Sequence, residues 1–115
     1  MTSPERVEAI RALGNPVSDV AAGMLKFFAR HDVEKYASGG APLHDPCTTA
    51  WLLKPELFKL KPCHVAVETV SELTLGHTAV DFWKVTDHAP NVQWAYDVDA
   101  DGFFELLRRS LADYN

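Results

Sequence analysis

Two stretches near the start of the chain repeat apolar residues every three or four positions, which is typical of amphipathic helices. The first opens with Ser3-Pro4-Glu5 and ends at Gly14; it has a hydroxyl cap, a proline at the first position and an acid in the first turn. The second runs from about Val17 to Tyr36, between the breaks Asn15-Pro16 and Ser38-Gly39-Gly40. Its apolar stripe has six members: Val17, Val20, Ala21, Met24, Leu25 and Phe28.

Two further helices are predicted later in the chain. A short one spans Cys47 to Lys54 and is interrupted by Pro55. The last one is capped by Asp99 or Asp101. Its inward face is predicted to carry four apolar residues: Phe103, Phe104, Leu107 and Leu111.

The segment between these helices has the shorter period of strands. Cys63 to Val70 follows the breaker Lys61-Pro62 and alternates, with one side formed by Val65, Val67 and Thr69 and the other by His64, Ala66 and Glu68. Thr78 to Trp83 is predicted to pair back on it as a hairpin, and Val92 to Val98 is a third strand. Three helices, three strands and a helix indicate an α+β fold, with residues 1–115 forming a single domain or part of one.

Composition narrows the class of partner. The 115 residues carry a net charge of −5 without any basic block, which argues against nucleic acid. No apolar run reaches the length of a membrane span, and the N-terminus has no signal-peptide core, so a membrane is not expected and the cytoplasm is the expected location. Cys47 and Cys63 are expected to be reduced thiols.

The main candidate residues for a functional site lie in the stretch from Gly39 to Ala50. Two glycines and a proline predict a tight turn, and Asp45 followed by Pro46 predicts a helix start with Asp45 as its N-cap. His44 places a titratable imidazole beside that carboxylate. The residues alone leave two interpretations open. Asp45 is only a helix cap and His44 only a loop residue, or the two side chains form a reactive pair.

The run from Ala41 to Cys47 resembles the C-terminal His-Asp motif of the inosine-uridine preferring nucleoside hydrolases. The likeness continues on both sides, through Ile10–Pro16 and Phe27–Arg30 upstream and through four segments downstream: Leu52–Phe58, Val67–Thr69, Glu72–Gly76 and Tyr96–Asp99. The resemblance covers nearly the whole chain, but it corresponds to only about the last third of such an enzyme. It implies the C-terminal segment of an α/β nucleoside hydrolase fold.

The resemblance also implies an activity, the hydrolysis of ribonucleosides to base and ribose. His44 would protonate the leaving base, and Asp45 would be one ligand of a Ca²⁺ ion that holds the ribose and the attacking water. Phe28 and Asp32 fall where the family often has tyrosines that reach over the base, and Tyr36 follows one turn later. An alternative interpretation of Phe28 is an ordinary core residue.

The family's N-terminal Asp-x-Asp-x-x-x-Asp-Asp segment, which supplies most of the calcium ligands, does not occur in this sequence. Because Ca²⁺ takes about six to eight oxygen ligands, we expect the chain alone to bind calcium weakly and to be inactive or nearly so. The alternative is a non-catalytic binding or assembly module. Apolar surface left on the second helix and the strands would favour a homo-oligomer.

Two other metal patterns are weak. Asp97-Val98-Asp99-Ala100-Asp101-Gly102 matches the first half of an EF-hand loop, but the twelfth position is Arg108 instead of glutamate. A strand end followed by a capped helix explains the same residues. Cys47, Cys63 and His64 lack the spacing of a zinc ligand pair.

Overall fold

The computed structural model describes residues 1–114. They form two compact units: Met1–Leu57 together with the chain from Asp99 onward, and Phe58–Val98. The first unit is helical and the second contains an antiparallel sheet. The element order confirms the predicted α+β class.

The first unit contains four α-helices. They are α1 (Pro4–Arg11), α2 (Pro16–Tyr36), α3 (Asp45–Leu53) and α4 (Ala100–Ala112), with a 3₁₀ turn at Pro55–Leu57. Each lies within a few residues of its predicted position. Among the described residues, no helix combines the length and the apolar character needed to cross a bilayer.

Side chains cap three of these helices. The Ser3 hydroxyl accepts from the backbone N–H of Arg6 at 3.4 Å, as predicted, and Asp99 is the residue that caps α4. The sequence analysis places Asn15 in a break, whereas the structure shows that Asn15 caps α2. Asn15 and Ser18 form a reciprocal capping box, in which each side chain accepts from the backbone N–H of the other.

The core of the helical unit lies where α1 crosses α2. Val7, Ile10 and Ala22 are buried there, and four partly buried side chains pack against them: Ala21, Leu25, Leu107 and Leu111. The last two come from α4, where the adjacent Phe103 and Phe104 are also buried. The inward face predicted for α4 is therefore confirmed.

The apolar stripe of α2 is largely outside this core. The helix buries Ser18, Ala22 and Ala29, whereas Met24 is 67% exposed and Phe28 is 55% exposed. Small residues allow α1 to approach α2 closely, so the larger apolar side chains lie elsewhere on the helix surface. The interpretation of Phe28 as an ordinary core residue is wrong.

The second unit is a three-stranded antiparallel sheet in the order β2-β1-β3. Its strands are β1 (Phe58–Val67), β2 (Thr78–Asp81) and β3 (Val92–Val98). The predicted hairpin of β1 with β2 is confirmed, and the bounds of β3 agree with the prediction.

The predicted start of β1 is wrong, because the strand passes through Pro62 instead of beginning after it. Phe58 to Cys63 pair with β3, and pairing with β2 begins only at His64. Pro62 therefore lies where β1 has a neighbour on one side, and its missing N–H disrupts no second ladder. Cys63, next in the strand, is buried.

Gly23 offers a test of the helix energetics. A Cβ at Gly23 meets nothing within 4 Å, and alanine is the better helix former, so we expect Gly23→Ala to raise the free energy of unfolding by about 1 kcal/mol. Gly14 is the control, because its added Cβ also meets open space but its φ is +75°. Gly14→Ala should lower stability by about 1–2 kcal/mol. Urea denaturation followed by circular dichroism measures the free energy of unfolding of both variants. Equal shifts would contradict the assignment of Gly23 to a helical conformation and of Gly14 to a left-handed one.

Candidate functional site

The loop that leads to His44 is held by Thr2, which lies near the N-terminus of the chain. Thr2 is 1% exposed, and both its backbone N–H and its hydroxyl donate to the carbonyl of Ala41 at 2.8 Å. The N–H of Ala41 in turn donates to the Thr2 hydroxyl at 3.2 Å. Three hydrogen bonds therefore clamp the loop to the chain segment that precedes α1.

Gly40 permits this close approach. Its φ is +151°, and a Cβ built there would lie 2.2 Å from the carbonyl oxygen of Thr2. The Ser38 hydroxyl donates to the Gly40 carbonyl at 2.9 Å and fixes the loop from the α2 side. The sequence predicted a turn at the two glycines, but it did not identify Thr2 as the partner.

His44 and Asp45 lie at the start of α3, and both are exposed. The predicted cap is wrong by one position: Asp45 is the first helical residue and His44 occupies the N-cap position, without a capping hydrogen bond from its side chain. Because Asp45 has already entered the helix, its carboxylate is not used to cap the backbone. It remains in the first turn, where the helix dipole favours negative charge.

The thiol of Cys47 supports the same turn. Its Sγ donates to the carbonyl of Leu43 at 3.3 Å, and its backbone N–H donates to the carbonyl of His44 at 2.9 Å. Burial raises the pKa of the Cys47 thiol. Cys47 is therefore a structural support for the loop, and its thiol is free, as is that of Cys63.

The three candidate substrate residues on α2 separate in the structure. Asp32 and Tyr36 line an open cavity of about 390 Å³, together with residues of the loop and the N-terminus: Met1, Ser38, Gly40 and Pro42. Phe28 is not among the lining residues. The cavity thus joins two of the predicted residues to the loop that ends at His44.

A larger groove between α1 and α2 was not predicted. It has a volume of about 580 Å³ and is lined in part by Val7 from α1 and by Phe27 and Val33 from α2. Phe27 is 70% exposed, and the guanidinium of Arg30 lies 5.0 Å from its ring centre. Phe27 falls outside the six-residue stripe, so periodicity alone did not single it out.

A third cavity, of about 410 Å³, lies in the sheet unit. The imidazoles of His64 and His88 stack there at 4.6 Å, and His88 is exposed. Asp81 accepts hydrogen bonds from the Thr86 hydroxyl and from the N–H groups of Val85 and Thr86, which lower the pKa of its carboxyl. This aspartate fixes the loop after β2.

The aspartates of the EF-hand-like run have separate partners. Asp97 pairs with Lys59 at 2.7 Å, and the hydrogen bond from Lys59 lowers the pKa of its carboxyl. Asp99 caps α4 by accepting from Gly102 at 3.1 Å, and Asp101 pairs with Arg6. The alternative of a strand end and a capped helix is confirmed.

Calcium would need more oxygen ligands than this site provides. Across residues 1–114, no three His, Cys, Asp or Glu side chains converge in a way that could hold a metal ion. Asp45 has the right donor chemistry, but one carboxylate falls well short of six to eight oxygens. The residues present therefore do not fit a complete calcium site.

Comparison with known proteins identifies the family to which the chain is similar. Residues 1–105 match the family model described as inosine-uridine preferring nucleoside hydrolase. Proteins described as pyrimidine-specific ribonucleoside hydrolase RihA are similar: the one from Enterobacter sp. (strain 638) is 48% identical over 110 residues, and the one from Shewanella oneidensis is 50% identical over 111 residues. These matches cover 95% and 96% of this chain, but only 35% of each relative.

Solved structures support the same fold. A plant nucleoside hydrolase, the PpNRh1 enzyme, matches 96% of this chain and 37% of its own with a TM-score of 0.80 and 22% identity. A purine-preferring ribonucleoside hydrolase from Gardnerella vaginalis matches 96% of this chain and 35% of its own with a TM-score of 0.74 and 23% identity. The chain belongs to the inosine-uridine preferring nucleoside hydrolase family and corresponds to its C-terminal portion.

Proposed function

We propose that this chain forms the leaving-base side of a ribonucleoside hydrolase site, and that His44 donates a proton to the departing base. The observation that carries the proposal is the exposed pair His44 and Asp45, at the start of α3 and at the end of a loop clamped by Thr2. Family membership supplies the reaction class.

The proposed reaction breaks the bond between the ribose C1′ and a nitrogen of the base. The oxygen of a water molecule bonds to C1′ and that water gives up one proton to the solvent, while the electron pair of the broken bond leaves with the base. Protonation by His44 neutralises the charge that develops on the base, a role for which histidine is the side chain used most often. The products are the free base and ribose.

Asp45 is proposed to contribute one oxygen ligand to the family's calcium ion. Because the described part of the chain offers no further converging ligands, we propose that the isolated chain does not hold calcium tightly. It then lacks the group that would position water and the ribose hydroxyls. We therefore propose that the isolated chain is inactive or nearly so.

The cavity lined by Asp32 and Tyr36 is proposed to take the base. Tyr36 is 64% exposed and offers an aromatic face, whereas the carboxylate of Asp32 accepts hydrogen bonds from ring or amino N–H groups. Phe28 lies outside this cavity lining and is not proposed to contact the base in the isolated chain. Ribonucleosides are the proposed substrate class.

An assay of the isolated chain tests the inactivity. With inosine or uridine and millimolar Ca²⁺, we expect no base release above background, because the calcium site is incomplete. Turnover near the ordinary enzyme range of about 1–10³ s⁻¹ would contradict the proposal.

A graft tests the role of His44. In the Enterobacter relative, the 110 matched residues are replaced by those of this chain, and we expect the graft to release base from a ribonucleoside. His44→Ala in the graft should lower kcat by about 100- to 10,000-fold, the range for loss of a general acid. His77→Ala changes another exposed histidine, in the segment between β1 and β2 of the sheet unit, and should leave kcat within twofold. Equal losses of kcat in the two variants would refute the role of His44 as the proton donor.

A self-associating module without catalytic activity is the second candidate. It is favoured by the large apolar side chains that remain exposed in both units, among them Met24, Leu52 and Trp83. Light scattering of the isolated chain distinguishes this candidate, which requires a homo-oligomer at micromolar concentration. A monomer at that concentration excludes it.

A further inference from the structure

The position of His44 is set by the backbone of the loop that precedes α3. Its side chain is exposed and makes no capping hydrogen bond, although it occupies the N-cap position. The carbonyls of Leu43 and His44 accept from the thiol and the backbone N–H of Cys47, respectively. A displacement of this loop therefore displaces the imidazole with it.

The loop is joined to buried structure through the hydroxyl of Thr2. Thr2 and Ala41 form an isolated antiparallel bridge, and they are 1% and 0% exposed. The hydroxyl works in both directions, since it donates to the carbonyl of Ala41 and accepts from its N–H. Its removal would leave the N–H of Ala41 buried without that partner, which is costly.

The segment that contains Thr2 is itself anchored by Arg6. The Arg6 guanidinium donates to the carbonyl of Met1 at 2.8 Å and lies 4.3 Å from the ring centre of Phe104. Arg6 also pairs with Asp101, and Phe104 is buried in α4. Contacts from both α1 and α4 therefore fix the attachment point of the loop.

The bridge lies between two parts of the proposed site. Gly40 and Pro42, on either side of Ala41, line the cavity proposed for the base. His44 follows two residues after Pro42. The bridge at Ala41 therefore governs where the proton donor lies relative to that cavity, although its own groups are buried.

We propose that Thr2 is a positioning residue for the proton donor His44 and acts through the backbone of Ala41. This proposal rests on the proposed function. A proton donor must lie within hydrogen-bond reach of the atom that it protonates, and a displacement of about 1 Å can lower the rate about 100-fold. Because Asp32 and Tyr36 of α2 are proposed to hold the base, loss of the Thr2 hydroxyl lowers kcat and leaves KM nearly unchanged.

Kinetics of a graft test this difference between kcat and KM. The graft carries this chain from Met1 onward in place of the matched segment of the Enterobacter relative, which is 35% of that protein. Thr2→Val removes the hydroxyl and keeps the backbone N–H, so we expect kcat to fall about 10- to 100-fold with KM within about threefold. Thr2→Ser retains a hydroxyl and should keep kcat within about threefold of the parent graft. Ile10→Val weakens the buried core without removing the hydroxyl and should leave kcat within about twofold.

Two arginines of α1 provide a milder test that retains the buried bridge. Arg6→Met keeps an apolar stem but removes the donor to the Met1 carbonyl, so kcat should fall about three- to tenfold. Arg11→Met is the matched control, because Arg11 pairs with Glu8 and Asp19. It should leave kcat within about twofold.

Amide exchange in the isolated chain reports on the same loop without any activity. The N–H of Cys47 donates to the carbonyl of His44, so its exchange should become at least about tenfold faster in Thr2→Val. The same N–H should exchange no more than about threefold faster in Ile10→Val, which leaves the bridge intact. Nuclear magnetic resonance resolves the rate for this single amide.

The outcomes separate the positioning role from the proposed function. Equal kcat losses in Thr2→Val and Ile10→Val would overturn the proposal, as would a Thr2→Ser graft that behaves like Thr2→Val. If His44→Ala abolishes turnover while Thr2→Val leaves kcat unchanged, the proposed function stands and the positioning role fails. Turnover that survives His44→Ala refutes the proposed function and this proposal with it. If the parent graft releases no base, unchanged Cys47 exchange in Thr2→Val overturns the proposal and accelerated exchange upholds it.

Discussion

Replacing Gly40 with alanine is expected to destabilise the helical unit by about 3–5 kcal/mol. The added Cβ would lie 2.2 Å from the carbonyl oxygen of Thr2 and 2.7 Å from its carbonyl carbon. Both are backbone atoms of a buried residue, so no flexible side chain can move aside. Strain at a φ of +151° adds to this clash, and each effect alone costs about 1–3 kcal/mol.

The neighbouring Gly39 is the control. A Cβ at Gly39 meets nothing within 4 Å, so Gly39→Ala should change stability by less than about 0.5 kcal/mol. Urea denaturation measures both variants, and amide exchange reports the clamp directly, because the N–H groups of Thr2 and Ala41 should lose protection in Gly40→Ala only. Similar stabilities for the two variants would mean that the clamp does not hold the loop.

Truncation of Ile10 is expected to cost about 3–4 kcal/mol. Ile10 is 1% exposed at the centre of the cluster formed by Val7 and Ala22, with Leu25 and Leu107 packed against it. Ile10→Ala leaves a cavity that α1, α2 and α4 cannot all close, whereas Ile10→Val removes one methylene and should cost about 1 kcal/mol.

Leu52 supplies the matched control within the same unit, because it is 74% exposed. Leu52→Ala should change the free energy of unfolding by no more than about 0.5 kcal/mol. Thermal and urea denaturation of Ile10→Ala, Ile10→Val, Leu52→Ala and the parent chain measure these differences in the free energy of unfolding. A loss at Leu52 as large as that at Ile10 would place the core of the helical unit elsewhere.

The helices and the last strand could be predicted because their signals are local. Ser3 before Pro4 marks the start of α1, Asp99 caps α4, and β3 has the predicted bounds Val92–Val98. Each depends on groups within a few residues of one another. The resemblance carried by His44 and its neighbours is also a local signal, and it led to the correct family.

Two of the three errors have a different cause, which is contact with distant parts of the chain. Pro62 is accommodated because β2 pairs with β1 only from His64 onward, and this register depends on residues far along the chain. The cap was misplaced by one residue because Asp45 adopts the helical conformation itself. The exposure of Met24 and Phe28 depends on which face of α2 meets α1.

The amino-acid order by itself determined the element types, the α+β class and the place of the His44–Asp45 pair at a helix start, since all of these arise from contacts within one or two turns of chain. Tertiary structure alone decided that Thr2 holds Ala41, 39 positions away in sequence, in the loop before His44, and that Asp32 and Tyr36 share a cavity with that loop. It also decided which side of α2 is buried. These features depend on packing between distant segments, and no local periodicity encodes the partner of a contact.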